Sequence, residues 1–532
     1  MLFAEPNYQS APYVSHDDRV YKFLDACVAR EIIPLSMMVT RPLSRTMIGG
    51  MLREIMENYS KINDAILEAE LDYYIREFAY EFKQPDSESK SRRRVRTVSY
   101  NPANAISNPH WHAADWSQEN FNFVFDPIIT VNWNDNGSKT IFRRATGIKF
   151  RGVVNNQIGF SFRFTDHVEI GNGPYRERDN LLEDHYGYVG PLMGGKETYY
   201  DLNNAYIVTS WNKFELMFGK DNFAWGMAKN RLLFSGDSPP FSQVRLVARL
   251  TSKINFTYVV GKLKSWNAVG DTIYTTENNW ERIIPPDKWV VGHRLDYSPV
   301  SNINISVSEA LIWGDRGFDF SYLNPLAFLY SAEHDGGDLD NVLLSGDVSV
   351  QLPGSIIWTA SLLIDDMKTS SLGTGDFGNK FAWSTGLMVW VPMVNGVQTS
   401  INYQKVDPYV YSHFYPVNRF SNWTSSLGTN MAPNSDQWSY QISYKPIRKL
   451  QIGINIKQNR HGELGGSFYD TAKKGGNPSA PFLGNEPEDW TQYEISVNWE
   501  LLPGLDLSLG RVENDKNLVF EDRYFLFFGY RY

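Results

Sequence analysis

Tyr524-Phe-Leu-Phe-Phe-Gly-Tyr-Arg-Tyr532 ends the chain, and its reading decides the fold. Every second residue, Tyr524, Leu526, Phe528, Tyr530 and Tyr532, is apolar or aromatic, whereas Phe525, Phe527, Gly529 and Arg531 form a mixed set. A period of two sends alternate side chains to opposite faces of a strand. Two settings suit such a strand. One is the core of a soluble domain. The other is the closing strand of an outer-membrane barrel, where one face meets lipid and the last strand pairs with the first so that no edge is left. This stretch alone does not separate them, and the rest of the chain does.

The 532 residues suffice for one very large β architecture or about three to four ordinary domains. The net charge of −9 shows no strong asymmetry along the chain, so nucleic acid is not an expected partner. Mean hydropathy is −0.38, and no apolar run approaches the ~18 residues of a membrane-crossing helix. Barrel strands escape that test, because their alternation averages to a polar value. Aromatic residues make up 14% of the chain, which suits strands, membrane-interface girdles and sugar-stacking surfaces. One cysteine, Cys27, forbids an internal disulfide and argues against a thiolate zinc site. Met1-Leu-Phe-Ala4 reads as the tail of a signal peptide, without the basic and apolar regions that would precede it.

Residues 15–84 read as a small helical bundle. Val20, Phe23, Leu24, Cys27 and Val28 form an amphipathic stripe, with Ser15 and Asp18 as its N-terminal capping signal. Cys27 lies on the stripe and reads as a small buried hydrophobe. Met47, Met51, Leu52 and Ile55 mark a second helix, and Leu67, Leu71, Tyr74, Ile75, Phe78 and Phe82 a third. Residues 85–118 read as a linker or plug segment. Its basic run, Lys90-Ser-Arg-Arg-Arg-Val-Arg96, suits solvent or, more sharply, a phosphate or acidic sugar.

From residue 119 onward alternation replaces helical periodicity. Ile158, Phe160, Phe162 and Phe164 alternate with Gly159, Ser161, Arg163 and Thr165. Ile303, Ile305 and Val307 do so with Asn304, Ser306 and Ser308, and Tyr493, Ile495, Val497 and Trp499 with Glu494, Ser496, Asn498 and Glu500. Short turns such as Val153-Val-Asn-Asn-Gln157, Leu352-Pro-Gly354 and Leu502-Pro-Gly504 take turns with long loops, near 171–196, 220–241, 264–287, 314–340, 366–379, 407–435 and 459–488. A stack of soluble sandwiches has no reason to send every long loop to one end. The segments between these connections number eighteen, an even count that puts both termini on the short-turn side, the periplasm. The prediction is a membrane all-β protein: an eighteen-stranded antiparallel up-and-down outer-membrane barrel over 119–532, with the helical bundle beneath it.

No catalytic constellation is present, no cofactor is implied and the chain reads as non-enzymatic. His110-Trp-His112 is a weak metal hint. Glu333-His-Asp-Gly-Gly-Asp338-Leu-Asp340 crowds four carboxylates into one loop, but without the spacing of a calcium loop it reads as a solvated acidic loop. Asp365 and Asp366, adjacent on a strand, point to opposite faces and make no glycosidase pair. No metal site is predicted.

Two blocks carry more. Gly219-Lys-Asp-Asn-Phe-Ala-Trp-Gly226 leads to Leu232-Leu-Phe-Ser235 and Pro239-Pro240 before the next strand. Tyr322-Leu-Asn-Pro-Leu-Ala-Phe328 is followed by Asp340-Asn341 and Gly346-Asp347. The block at 219–240 resembles the strand–loop–strand block of the capsule-assembly Wzi family. The block at 322–347 is similar to the Asn-Pro-Leu block of Bacteroidota members of that family, including relatives linked to gliding motility. Val20-Tyr-Lys-Phe-Leu24 and Thr40-Arg-Pro-Leu-Ser-Arg45 resemble its helical N-terminal segment. The resemblance spans nearly the whole chain and implies an eighteen-stranded outer-membrane barrel that binds surface polysaccharide as a lectin. Candidate glycan ligands are Trp225, Arg231 and Asp237 in the first block and Asn324, Glu333, His334 and Asp335 in the second. Trp stacks on sugar rings and Arg grips a uronate with two parallel bonds, whereas a loop-packing Trp225 and a turn-fixing Asn324-Pro325 are the plainer readings.

The expected partners are surface polysaccharide and the outer-membrane bilayer, with other envelope proteins as a further possibility. The expected function is to hold capsular or other surface polysaccharide at the cell exterior without catalysis. Three other readings stay open: an accessory of gliding motility or protein secretion, a diffusion porin, and a soluble carbohydrate-active enzyme.

Overall fold

The computed structural model describes residues 10–38, 40–83, 112–118, 120–137, 139–171, 189–191, 197–265, 272–279, 281–337, 339–374, 376, 378–423, 425–471, 479–516 and 519–531. Eighteen antiparallel strands run up and down around one closed barrel. The first nine are β1 (Phe121–Asp135), β2 (Thr140–Val154), β3 (Ile158–Gly171), β4 (Glu197–Trp211), β5 (Phe214–Asp221), β6 (Phe241–Arg249), β7 (Ile254–Lys264), β8 (Asp287–Val300) and β9 (Ile303–Gly314). The remainder are β10 (Asn341–Leu352), β11 (Ile356–Asp366), β12 (Lys380–Trp390), β13 (Val397–Val406), β14 (Ser435–Ile447), β15 (Leu450–His461), β16 (Glu488–Leu502), β17 (Leu505–Lys516) and β18 (Val519–Arg531).

The C-terminal stretch closes the cylinder. On β18, Tyr524 lies opposite Asp135 of β1 and the register continues to Arg531 opposite Ile128. Below that point the edge of β1 is covered by Ala114–Gln118, which pairs with Phe121–Phe125. The end of the segment read as a linker thus belongs to the wall. Residues 84–111, with the basic run and His110, lie outside the described residues, and His112 bonds Asp126 at 2.8 Å.

The wall is apolar outside and polar inside, the reverse of a soluble core. Exposed strand positions are Ile129, Phe218, Ile305, Val307, Ile442, Ile495, Leu526 and Phe528, whereas Asn304, Ser306, Ser308, Ser349, Asn402 and Ser439 are buried. That distribution suits a surface immersed in hydrocarbon. At the short turn after β2, Asn155 and Asn156 have φ of 52° and 55°, the left-handed pair that a tight hairpin needs and that Asn tolerates.

Among the described residues four α-helices precede the wall: α1 (Arg19–Ala29), α2 (Arg45–Glu57), α3 (Ala65–Glu77) and the short α4 (Ala79–Lys83). Asp18 caps α1, accepting from the Val20 amide at 2.8 Å. Ser15 does not cap it and instead bonds Asp17, because Asp18 is the residue that directly precedes the first turn. Ser44 and Asp64 cap α2 and α3, and Asp64 also binds Arg30 at 2.7 Å. The apolar stripes, fully buried Cys27 among them, pack together and against Ile357 and Trp390 at the short-turn end of the wall. Leu35 donates its amide to Ser301 in the β8–β9 turn at 2.9 Å. Glu70 pairs with Lys445, and Arg448 lies 4.1 Å over the Tyr73 ring. The helices therefore sit at the short-turn rim.

Candidate functional site

Two of the long loops turn into the lumen. Residues 222–240, between β5 and β6, and 407–434, between β13 and β14, fold together against inward-facing Val259, Ala310, Ile312 and Leu343. Tyr411 donates its hydroxyl to the Leu232 carbonyl at 2.6 Å, and the Ser235 amide donates to the Leu427 carbonyl at 3.0 Å. Trp225 stands edge-on to Phe234, ring centroids 4.6 Å apart, and is buried. From the opposite end the N-terminal segment rises to meet them. Thr40–Arg41 pairs as a short ladder with Ala224–Trp225. Gly236, at φ +89°, lets the inner loop lie on the His16 ring, where an added Cβ would come within 2.7 Å of Nε2.

Between this inner layer and the wall formed by β13–β16 the structure leaves a cavity of about 550 Å³. It lies at the long-loop end, since Ser435 begins β14, His461 ends β15 and Glu488 begins β16. Lys229, Arg231 and Asp237 line it from the inner loop, and Lys457, Arg460, Glu488 and Trp490 from the wall. Arg460 is neutralised by Asp436, with Nε 2.9 Å from Oδ1. Arg231 donates Nε to the Gly226 carbonyl at 2.9 Å, and its guanidinium makes no ion pair among the described residues. Burial, with Arg41 as a neighbouring like charge, lowers its pKa to about 10. Lys229 bonds the Gln441 side chain at 2.8 Å. It is reached by solvent inside the cavity, yet enclosure by protein, then Lys457 and Lys22, lower its pKa to about 8. Burial raises the Asp237 carboxyl and lowers the His16 imidazole. Cations under desolvation, amide side chains such as Gln437 and Asn459, and an indole form a surface suited to hydroxyl-rich ligands carrying carboxylate.

The candidate residues fall into three places. Arg231 and Asp237 line the cavity. Trp225 does not, being locked in the aromatic layer beneath it. Asn324, Glu333, His334 and Asp335 belong to the loop after β9, which lies against the outer face of the wall and not in the lumen. There Asn324 accepts from the Leu326 amide at 3.1 Å, and His334 Nδ1 lies 2.7 Å from the Tyr330 carbonyl. Glu333 is buried and Asp335 exposed. Asp340 of the same loop is held by Arg316 and by the Tyr322 hydroxyl. Among the described residues no three acidic, His or Cys groups converge to hold a metal. Asp365 accepts from the Tyr411 amide and Asp366 bonds Lys380 Nζ at 2.6 Å, and a register shift between Ile364 and Asp366 breaks the strict alternation expected of this pair. Sequence reading missed Lys229, Lys457, Glu488 and Trp490. The strand alternation that turns Lys457 and Trp490 inward is visible in the sequence, but not that β15 and β16 face the loop after β5.

The model of the capsule assembly protein Wzi matches residues 133–391. Wzi of Escherichia coli, an outer-membrane protein involved in group 1 capsule assembly and described as a carbohydrate-binding β-barrel, superposes with a TM-score of 0.58 at 13% identity. The superposition covers 98% of this chain and 99% of that one. Over those residues the chain matches the Wzi capsule-assembly family, and the superposition shows the same barrel fold. Two further structures superpose more loosely. OccK5 (OpdH) of Pseudomonas aeruginosa has a TM-score of 0.44 at 10% identity, covering 77% of this chain and 98% of its own. A BenF-like porin of Pseudomonas fluorescens gives the same four values. No curated protein matches in sequence. The match to that family model and a closed barrel with an apolar outer stripe place the protein in the outer membrane.

Proposed function

We propose that this barrel binds surface polysaccharide at the cell exterior, without catalysis, in the cavity between the 222–240 loop and β13–β16. The observation that carries the reading is the Arg231 guanidinium, without an ion-pair partner among the described residues, lining that cavity together with Lys457 and Trp490. An enclosed cation without such a partner is costly unless a ligand supplies one, and an anionic sugar beside an indole does so. The E. coli relative's carbohydrate binding supports the same class of ligand. On this reading the long loops are external and the helices of 15–84 lie in the periplasm at the short-turn rim. Packing of the N-terminal segment and the inner loops within the cylinder argues against a wide diffusion pore.

The test is retention of the detergent-purified barrel on immobilised capsular polysaccharide. Wild type is expected to be retained, and Arg231→Ala, Lys457→Ala and Trp490→Ala to be retained weakly. Absence of retention on any surface glycan overturns the proposal. A large open-channel current in planar bilayers, with no retention, would favour a porin.

A further inference from the structure

A long loop interrupts the outer face of the barrel. Outward positions on β8 and β9 alternate: Leu295, Tyr297, Ile305 and Val307 are exposed, but Val291, Leu311 and Trp313, nearer the long-loop end, are fully buried. They are covered by residues 316–337, where Tyr322 and Leu329 pack on Tyr258, Val260, Val291, Leu311, Trp313 and Val342. The cover is fastened at its polar atoms. Trp313 Nε1 donates to the Gly317 carbonyl at 3.3 Å, and the Tyr258 hydroxyl to the Tyr322 carbonyl at 3.2 Å. Outward Glu309 accepts from the amides of Leu329 and Tyr330 at 2.8 and 2.7 Å and lies 3.0 Å from His293. The free side of the cover carries an apolar patch, with Leu326 83% exposed, Phe320 78% and Phe328 58% and Tyr330 beside them, and beyond it the exposed His334 and Asp335 mark a polar end.

Its height on the wall decides what meets that side. β9 has 12 residues, which at ~3.3 Å per residue and a tilt of ~45° rise ~28 Å, close to the ~25 Å apolar band of such barrels. The covered residues Leu311 and Trp313 therefore lie in the outer-leaflet half of that band, continuous with the lipid-facing Val307. We propose that the apolar patch of this cover, Phe320 to Tyr330, is a lipid-immersed flap, with Arg316 and Asp319 at one end and His334 and Asp335 at the other reaching the headgroup region. It replaces lipid against β7–β10, hides the Glu309–His293 pair from hydrocarbon, and presents Phe320, Leu326, Phe328 and Tyr330 to outer-leaflet acyl chains. An exposed apolar surface of this kind is unfavourable in water but matched by the medium at that depth.

The test uses single cysteines at Leu326→Cys and, as a control at the β12–β13 short turn, Met393→Cys. Met393 is 96% exposed, and Cys27 is buried and left in place, so unsubstituted protein serves as the blank. Each variant is folded, labelled with an environment-sensitive fluorophore and reconstituted in phosphatidylcholine vesicles with or without chain-nitroxide lipid. The expected result is blue-shifted emission at position 326, quenched by chain nitroxide several-fold more than at 393. Water-like emission at 326, quenched by aqueous iodide and not by nitroxide lipid, overturns the proposal. So does efficient cross-linking of Leu326→Cys between barrels at low protein-to-lipid ratio, which would make a second copy the occupant.

Discussion

Thr40 of the N-terminal segment donates a 3.0 Å hydrogen bond to Asp296 on the inner face of β8, 256 residues further along the chain. Asp296 in turn receives Arg294 Nε at 2.9 Å, and Arg294 also binds Asp347 on β10 and the hydroxyl of Ser308. The segment that enters the lumen is thus tied to a charged network in the wall, directly below the ladder it forms with Trp225. Through that ladder the short-turn rim and the loop bearing Arg231 are mechanically continuous.

The network should be visible in stability. Arg294 is almost wholly buried, and Arg294→Ala leaves Asp296 and Asp347 facing each other without a cation. Breaking a buried pair by removing one partner costs about 3–5 kcal/mol. The expected outcome is a lower temperature at which the folded barrel loses its compact migration on an unboiled gel. An unchanged transition would show that the network is stabilised elsewhere.

Closure depends on the last strand. Deleting Tyr524–Tyr532 removes every pairing between β18 and β1 and exposes two long edges to hydrocarbon, where unpaired backbone groups cost several kcal/mol each. The truncated chain should fail to reach a heat-modifiable folded form in detergent or vesicles, as followed by gel shift and far-ultraviolet circular dichroism.

The two tryptophans of the site should behave oppositely. Trp225→Ala removes a buried ring from the aromatic layer and should cost about 3–5 kcal/mol of stability. Trp490, half-buried at the cavity wall, should leave stability nearly unchanged when replaced by Ala. Its loss from glycan contact, about 1–2 kcal/mol of apolar burial, should weaken binding roughly tenfold. Thermal unfolding and glycan titration of both variants separate the roles.

Lys229 gives a pH signature with a defined sign. With a pKa of about 8 it is charged at pH 7 and neutral by pH 9–10. Affinity for an anionic glycan should therefore fall as pH rises through about 8, roughly threefold to tenfold given screening in the cavity, and Lys229→Gln should flatten the profile. Stability without glycan runs the other way. A folded pKa below the ordinary lysine value of 10.5 means that the unfolded chain binds the proton more tightly, so stability rises from about pH 8 towards 10.5. Titrations with and without glycan across pH 6–10 distinguish the two slopes.

The sequence by itself determined the barrel. Alternation such as Tyr524, Leu526 and Phe528 against Phe525, Phe527 and Gly529 is a property of the extended backbone, and turn pairs such as Asn155-Asn156 declare their φ locally. Strand number, the side carrying the long loops and the buried helical stripe with Cys27 follow from patterns a few residues long. The tertiary structure alone decided the destination of each loop. Trp225 and Tyr322 stand in equally aromatic loops, yet the first lies in the lumen and the second on the lipid-facing wall. Nothing within either loop distinguishes them, because inside and outside are set by which face of the flanking strands each loop finds once the cylinder has closed. The cavity is decided in the same way: Arg231 shares it with Lys457 and Trp490 only because the loop after β5 folds into the lumen beside β15 and β16, a juxtaposition of distant segments that no local pattern records.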